Sequence, residues 1–323
     1  MQKDKDLVGL LVGLNTTLFC VEDFKLKVIT IPYITEPDHV KMPALLSGAF
    51  NQDSNLTLEK EMRAIIFGLT AMAPDYIEQL YTFADKGRDP RERIYKNRVV
   101  SIAYMGVVKS ITLNAHEYMW EEVYEFLPWE DRRYPEVEMF KLIDDFLSQW
   151  VAQDKDLSKR LEKKNRIDLS FGRGKSNWDA YRVLDRYELL YESKFLQEYF
   201  HDQGKKIKDE QRFLGRSMAF DHRRILATSL ARVRGKLRYR PLAFDFLPKE
   251  FTLLELQQVV EVISGNLLHK QNFRRLVENS KLVEGIGKKV SSQSGRPAEL
   301  FRFRKAVLME KRAPGVGGIK SLR

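Results

Sequence analysis

The clearest pattern of apolar and polar positions lies near the carboxyl end of the chain. Apolar residues recur three and four positions apart, as on one buried helical face, at Leu253, Leu256, Val259, Val260 and Ile263. Thr252 can cap the start of this helix, and Gly265 can end it. A second helix is predicted over 270–279, with its inward positions at Phe273, Leu276 and Val277.

The outward positions of the second helix are polar or basic. They are Lys270, Gln271, Asn272, Arg274 and Arg275. Arginine, glutamine and asparagine are side chains that read base edges. A short apolar run at 282–283, a basic tip over 287–296 and an alternating strand over 300–304 follow. Helix, turn, helix and hairpin in this order predict a winged helix-turn-helix whose second helix enters the major groove of DNA.

The basic tip supplies a further set of DNA contacts. The residues predicted to reach the backbone or the minor groove are Lys288, Lys289, Ser294 and Arg296. A longer helix is predicted over 221–240, and its outward side chains are predicted to contact phosphates: Arg223, Arg224, Arg232, Arg234, Lys236 and Arg238. The alternative is a plain helix pair with a solvent-facing basic side.

Charge is distributed unevenly along the 323 residues. The net charge is +10, and residues 211–323 hold 24 Lys and Arg against 9 Asp and Glu. A basic end on a mildly acidic body indicates a polyanion-binding module. The single cysteine excludes a disulfide framework, and no uncharged apolar run approaches a membrane span. We therefore expect a cytoplasmic protein without a membrane segment.

The first half of the chain alternates strand and helix patterns. Strands are predicted over 7–14 with 18–21, over 26–31 and over 99–108, and a helix is predicted over 58–67. Strands, a helix and strands again indicate an α/β or α+β sandwich, and of the two we expect α+β.

Four passages of the chain carry a pattern met in one known family. They are 43–50, 76–83 with Asp89-Pro90-Arg91, 99–104, and parts of 220–275 with Gly295-Arg296-Pro297-Ala298. The pattern resembles the Nudix-related transcriptional regulators, which include regulators of NAD metabolism and of arabinose use. The resemblance implies a Nudix-like α/β/α sandwich followed by a winged helix-turn-helix domain. It also implies a homodimer and a small-molecule effector, either a sugar or an ADP-ribose-like nucleotide.

The Nudix box itself departs from the family pattern. Its helical glutamates normally hold divalent cations that bind a pyrophosphate. When the box is aligned on Gly68, those positions hold Met62, Ile65 and Ile66. We therefore expect no hydrolase activity, no catalytic residue, no bound metal and no cofactor. The alternative is a nucleotide hydrolase that uses the relocated carboxylates of Glu59 and Glu61, both of which are expected to face solvent.

Effector contacts are predicted on the loop that follows residue 84. Arginine suits phosphate and sugar hydroxyls, and the candidates are Arg88, Asp89, Arg91 and Arg98. The alternative is a flexible charged loop. Farther along, 137–151 and 176–200 carry apolar and aromatic residues at helical spacing on either side of a charged stretch, 154–166. They predict extra helices packed on the Nudix-like domain or on a partner subunit, the alternative being a partner or ligand surface.

The predicted organisation has four parts. Residues 1–110 form the Nudix-like effector-sensing domain, 111–212 a mostly helical insertion, 213–305 the winged helix-turn-helix domain and 306–323 a flexible tail. The predicted function is that of an effector-responsive transcriptional regulator, a dimeric repressor on a palindromic DNA operator. Besides the hydrolase, a structural dimer with non-specific DNA affinity is the competing class.

Overall fold

The computed structural model describes residues 9–35, 39–51, 53, 56–109, 118–207, 213–239, 242–290 and 297–304. Among these residues, no helix has both the length and the apolar character that crossing a bilayer requires. The strands of the large sheet are β1 (Leu10–Glu22), β2 (Lys25–Ile34), β3 (Lys41–Ala44), β4 (Leu46–Ala49), β5 (Tyr76–Phe83), β6 (Arg98–Val107) and β7 (Met119–Glu122).

Strand β1 organises this mixed sheet. The strand order is β3-β2-β1-β6-β5, with β4 also paired to β1 and β7 to β2. β1 and β6 run parallel, with Leu14 opposite Ile102. Residues 14–20 of β1 are buried without alternation, because helices cover both faces of the sheet. The strand predicted over 7–14 with 18–21 is continuous from Leu10 to Glu22.

Helix α1 (Leu58–Thr70) covers one face of the sheet. Thr57 accepts a hydrogen bond from the backbone of Lys60, which fixes the start of the helix. Met62 and Ile66 are fully buried in a cluster with apolar residues of β1 and β6. The predicted helix over 58–67 is confirmed, and it continues through Gly68 to Thr70.

Helix α8 (His222–Tyr239) covers the opposite face and completes the predicted α/β/α sandwich. Ile225, Leu226 and Leu230 are fully buried against the sheet, and Ser229 is hydrogen bonded to Thr17 of β1 at 2.8 Å. This corrects the predicted DNA-binding domain of 213–305. Its first helix is a layer of the sandwich, because the apolar stripe of that helix lies on the sheet.

Along the chain, the segment between the last strand of the sheet and α8 forms the predicted extra helices. They are α3 (Val123–Phe126), α4 (Val137–Ala152), α5 (Leu157–Phe171), α6 (Val183–Glu192) and α7 (Glu198–Asp202), with a 3₁₀ turn at Pro128–Glu130. The charged stretch 154–166 lies largely on α5, and the aromatic stripe of 176–200 is divided where Lys194 adopts φ 69°. Residues 119–122, predicted to lie in the insertion, instead form strand β7 of the sheet.

The carboxyl-terminal part is a winged helix-turn-helix, as predicted. It contains a 3₁₀ turn (Leu242–Phe246), α9 (Leu253–Ser264), α10 (Lys270–Ser280), β8 (Val283–Val290) and β9 (Ala298–Phe303). Thr252 and Glu255 form a reciprocal capping box at the start of α9, and Gly265 ends it with φ 71°. Because β8 runs to Val290, Lys288 and Lys289 lie on a strand and not at an irregular tip.

Candidate functional site

Helix α10 presents a polar face that the described part of the chain leaves open. Phe273 and Val277 are fully buried and fix the helix in the winged domain. The five side chains predicted to contact DNA are all exposed: Lys270, Gln271, Asn272, Arg274 and Arg275. Within the described residues, none of the five has a hydrogen-bond or salt-bridge partner. They are thus available to an external partner.

The wing, which is the hairpin of β8 and β9, offers fewer unpaired basic groups. Lys288 lies 3.3 Å from Glu250 in an exposed ion pair, which contributes little to stability and can exchange for a phosphate. Lys289 is exposed. Ser294 and Arg296 lie outside the described residues. The contacts of all four with DNA stay a prediction.

A buried charge cluster attaches the winged domain to the body of the molecule. Glu130, Arg186 and Arg234 are each at most 2% exposed. The Arg186 Nε donates to Glu130 at 2.6 Å, and the Arg234 Nη1 donates to the other oxygen at 2.5 Å. Burial tends to raise the pKa of Glu130, but the two guanidinium charges outweigh it and leave the pKa below its ordinary value. The cluster is therefore ionised.

The same cluster reaches the turn of the helix-turn-helix. Arg234 Nε donates to the carbonyl oxygen of Ile263 at 3.0 Å, in the last turn of α9. The Tyr124 hydroxyl donates to the Val262 carbonyl at 2.6 Å, and the Arg132 amide donates to the Gly265 carbonyl at 2.7 Å. These bonds satisfy carbonyl groups that the end of a helix leaves free. The orientation of α10 is thus tied to the body.

Most basic residues of α8 pair with carboxylates of this chain, which overturns their predicted role as phosphate contacts. Arg223 is fully buried and pairs with Glu198 at 3.1 Å. Arg224 pairs with Glu188 at 2.6 Å, and Arg232 and Lys236 pair with Glu78 at 3.4 Å and 2.7 Å. Arg234 belongs to the Glu130 cluster, and the side chain of Arg238 lies outside the described residues. This helix faces the core because it is a layer of the sandwich.

Two of the predicted effector contacts, Arg88 and Arg98, form hydrogen bonds and ion pairs within the protein. Arg88 donates to Glu188 at 2.8 Å and lies 3.8 Å from the ring centre of Tyr191. Arg98 donates to the carbonyl of Ala84 and pairs with Glu92 at 3.5 Å. Both arginines join neighbouring elements, so a role for either in direct ligand contact would require these bonds to break.

The other two candidates define helix α2 (Pro90–Tyr95). Asp89 caps this helix by accepting a hydrogen bond from the Arg91 amide at 2.9 Å and pairs with the Arg91 guanidinium at 2.7 Å. The Arg91 guanidinium also lies 4.1 Å from the ring centre of Phe220. The loop is therefore an ordered helix start and not the flexible charged loop of the alternative prediction.

Helix α1 buries apolar side chains at two positions that the sequence alignment assigns to glutamates of the Nudix box. Met62 and Ile66 are fully buried where the family pattern has glutamates. Glu61, expected to face solvent, is only 5% exposed and accepts a hydrogen bond from the Asn51 amide at 2.6 Å. Glu59 pairs with Arg63 one turn along the helix at 2.9 Å. Across the described residues, no three His, Cys, Asp or Glu side chains are grouped as a metal site requires.

A cavity of about 500 Å³ lies between the sandwich and the insertion. The sandwich contributes Met42 of β3 and Arg93 of α2, and the segment before α8 contributes Phe220. The insertion contributes α7 and the residues that follow it, including Phe200 and Lys205. Sequence reasoning missed this site, because its walls come from segments more than a hundred positions apart.

Comparison with known proteins places the chain among regulators. The model of the NrtR DNA-binding winged helix domain matches residues 243–303. A relative from Acinetobacter baylyi (strain ATCC 33305 / BD413 / ADP1), the ADPR responsive transcriptional repressor NtrR, is 31% identical over 183 residues. That match covers 53% of this chain and 72% of the relative.

Solved structures share the fold. NrtR of Shewanella oneidensis complexed with a 27mer DNA superposes with a TM-score of 0.55 at 19% identity, covering 91% of this chain and 93% of that one. A MutT/nudix family protein of Enterococcus faecalis gives a TM-score of 0.53 at 17% identity, covering 94% and 96%. At these identities the likeness establishes a common architecture of sandwich and winged helix.

Proposed function

The chain belongs to the NrtR family of transcriptional regulators, and we propose that it is a dimeric repressor that binds a palindromic operator through α10. A small effector bound to the Nudix-like domain releases it from DNA. The observation that carries the proposal is the exposed polar face of α10, whose arginine, glutamine and asparagine side chains have no partner within the described residues. A regulator of this kind binds DNA in the cytoplasm.

The relative from Acinetobacter baylyi, by its name responsive to ADPR, supports an ADP-ribose-like effector over a neutral sugar. The Glu130 cluster supports a route from effector to DNA, because it binds both the insertion, through Arg186, and the end of α9, through Arg234. An effector that shifts the insertion changes the placement of α10. In a dimer, this moves the two recognition helices away from the spacing of the operator half-sites.

Replacing Arg274 by alanine tests base reading by α10. We expect Arg274→Ala to weaken binding to the operator by about 1–3 kcal/mol, because a bidentate contact with a base edge is lost. Affinity for scrambled DNA should fall much less. Fluorescence anisotropy with both duplexes measures the two affinities.

Arg166→Ala is the matched control for this measurement. Arg166 is also exposed, but it lies on α5 and pairs with Glu192 at 2.7 Å. Its replacement should leave operator affinity unchanged. If Arg274→Ala weakens binding to operator DNA and to scrambled DNA equally, Arg274 contacts only the DNA backbone and does not read sequence.

We also propose that the Nudix-like domain has no hydrolase activity. Buried Met62 and Ile66 offer no oxygen ligand to Mg²⁺, and Glu61 already bonds the Asn51 amide. Incubation with ADP-ribose or NAD and Mg²⁺ should therefore give no product above a buffer blank, as followed by chromatography. Turnover that disappears in Glu61→Gln would assign hydrolysis to the relocated carboxylate and contradict the proposal.

A further inference from the structure

The cavity between sandwich and insertion has the size of a small-molecule site. Its volume of about 500 Å³ lies in the range of pockets that enclose nucleotides and drug-sized ligands. Part of its wall is apolar: Met42 and Met218 are nearly fully buried, and the rings of Phe200 and Phe220 border the space. Such a wall favours a flat ring or the apolar edge of a sugar.

Phe220 is held in a conformation that an aromatic residue rarely adopts. Its φ of 56° lies in the left-handed region, which costs about 1–2 kcal/mol for a residue with a Cβ. The ring packs against Tyr33 at 4.5 Å and under the guanidinium of Arg91. The surrounding structure thus holds this ring in place at the cavity wall, as is common at ligand sites.

The charges that border the cavity are predominantly positive. Arg93, Lys205 and Lys206 line it together with His201. Within the described residues, neither Arg93 nor Lys206 forms a salt bridge, and the Lys205 ammonium lies 3.3 Å from the Tyr199 hydroxyl. The side chains of Arg93, Lys205 and Lys206 are exposed, so they can meet an anion from solvent.

The two carboxyl groups of the cavity wall do not cancel this charge. Glu198 pairs with buried Arg223 at 3.1 Å and accepts a hydrogen bond from the Met218 amide at 3.2 Å. Asp202 accepts a hydrogen bond from the Tyr191 hydroxyl at 2.8 Å. Burial raises the pKa of Asp202 well above its ordinary value, which favours the neutral form of this group.

Gly204 allows Arg93 to lie across the chain of the insertion. A Cβ at position 204 would stand 2.9 Å from the Arg93 Cζ, and the φ of 59° is one that glycine tolerates best. Arg93, from the sandwich, is thereby brought beside Lys205 and Lys206, from the insertion. Three cations from two parts of the molecule border one cavity.

We propose that this cavity is the effector site, and that Arg93, Lys205 and Lys206 bind the phosphate of a phosphorylated ligand whose ring packs on Phe200 and Phe220. The assignment rests on the proposed function and adds the place of binding and the three cations that hold the phosphate of a nucleotide or sugar. Arginine and lysine both bind phosphate oxygens through charge-assisted hydrogen bonds. The insertion thus completes the binding site in addition to packing on the sandwich.

Isothermal titration of the full chain tests the assignment, with ADP-ribose, ribose 5-phosphate and arabinose as probes. We expect ADP-ribose or ribose 5-phosphate to bind and arabinose, which lacks a phosphate, to give no heat. The relative affinity of the first two then separates a nucleotide from a sugar phosphate. Arg93→Ala and the double variant Lys205→Ala/Lys206→Ala should each weaken binding about tenfold or more, because charged hydrogen bonds are lost.

The double variant Lys159→Ala/Lys164→Ala is the control, because it removes two exposed lysines from α5, away from the cavity. Its affinity for the phosphorylated probe should equal that of the unaltered protein. Gly204→Ala should weaken binding in the same way as Arg93→Ala, since it displaces the guanidinium.

Two outcomes would overturn the assignment. One is the absence of binding by both phosphorylated probes, and the other is unchanged affinity in the cavity variants. In the second case, ADP-ribose that still released the protein from operator DNA would leave the proposed function standing, with the effector bound elsewhere. A failure of the proposed function would be seen in a different measurement. The unaltered protein would then bind operator and scrambled DNA equally, whether or not the cavity binds phosphate.

Discussion

Glu130→Gln is expected to lower the free energy of unfolding by about 3–5 kcal/mol, the usual cost of removing one partner from a buried ion pair. Glutamine keeps the shape of the side chain but not its charge. Arg186 and Arg234, at 0% and 2% exposure, would then both remain buried without a carboxylate. Equilibrium unfolding in urea measures the loss as a lower midpoint.

Glu192→Gln is the matched control, because Glu192 also forms a two-bond pair with an arginine, Arg166, but at the surface. The two side chains are 42% and 40% exposed. Exposed pairs contribute about 0–1 kcal/mol, so this variant should unfold close to the unaltered midpoint. Similar losses in both variants would show that water reaches Glu130 and that the cluster does not hold the winged domain.

Gly265→Ala should lower the free energy of unfolding by about 2–5 kcal/mol, the sum of a left-handed backbone cost and the cost of overpacking. Gly265 has φ 71° at the end of α9. An added Cβ would lie inside the contact distance of the Glu130 carbonyl oxygen and 2.8 Å from the Arg234 Nη2. Neither neighbour can move freely, because both belong to the buried cluster.

Gly287→Ala separates the two contributions. Gly287 has the same φ of 71°, but a Cβ there would meet nothing within 4 Å. Only the backbone cost of about 1–2 kcal/mol should remain. If urea unfolding gave the same loss for both variants, the turn of the helix-turn-helix would not be packed against Glu130. The proposed coupling from the effector to α10 through the Glu130 cluster would then be wrong.

The sequence predicted the winged domain well because its signals are local. The capping residue Thr252, the helical spacing of α9 and the terminating Gly265 all act within a few positions of one another. The open face of α10 follows from the same periodicity, since buried Phe273 and Val277 turn the polar side chains outward.

The role of α8 was misjudged because its basic residues look like a solvent-facing side. Arg223 and Arg234 are buried only because Glu198 and Glu130 meet them, and Glu130 lies 104 positions from Arg234. Helical spacing indicates which residues share a face but not which distant carboxylate neutralises a charge on it. The same limit applies to Arg88, whose partner Glu188 is 100 positions away.

The cavity was beyond sequence reasoning for a related reason. The sequence predicts effector contacts from arginines near the Nudix-like strands, but Arg88 and Arg98 form ion pairs within the protein. Lys205 and Lys206 stand in an ordinary polar stretch, and only the packing of the insertion brings them to Arg93. Charge alone did not distinguish binding groups from structural ones.

The most direct test of sequence-specific regulation is fluorescence anisotropy with DNA from upstream of the protein's own gene, against a scrambled duplex, near physiological salt. A specific regulator should prefer the upstream duplex by about 10³-fold or more. ADP-ribose added to the complex should then release it. Equal and steeply salt-dependent binding to both duplexes would mean that only the backbone is contacted, and would contradict the proposed repressor.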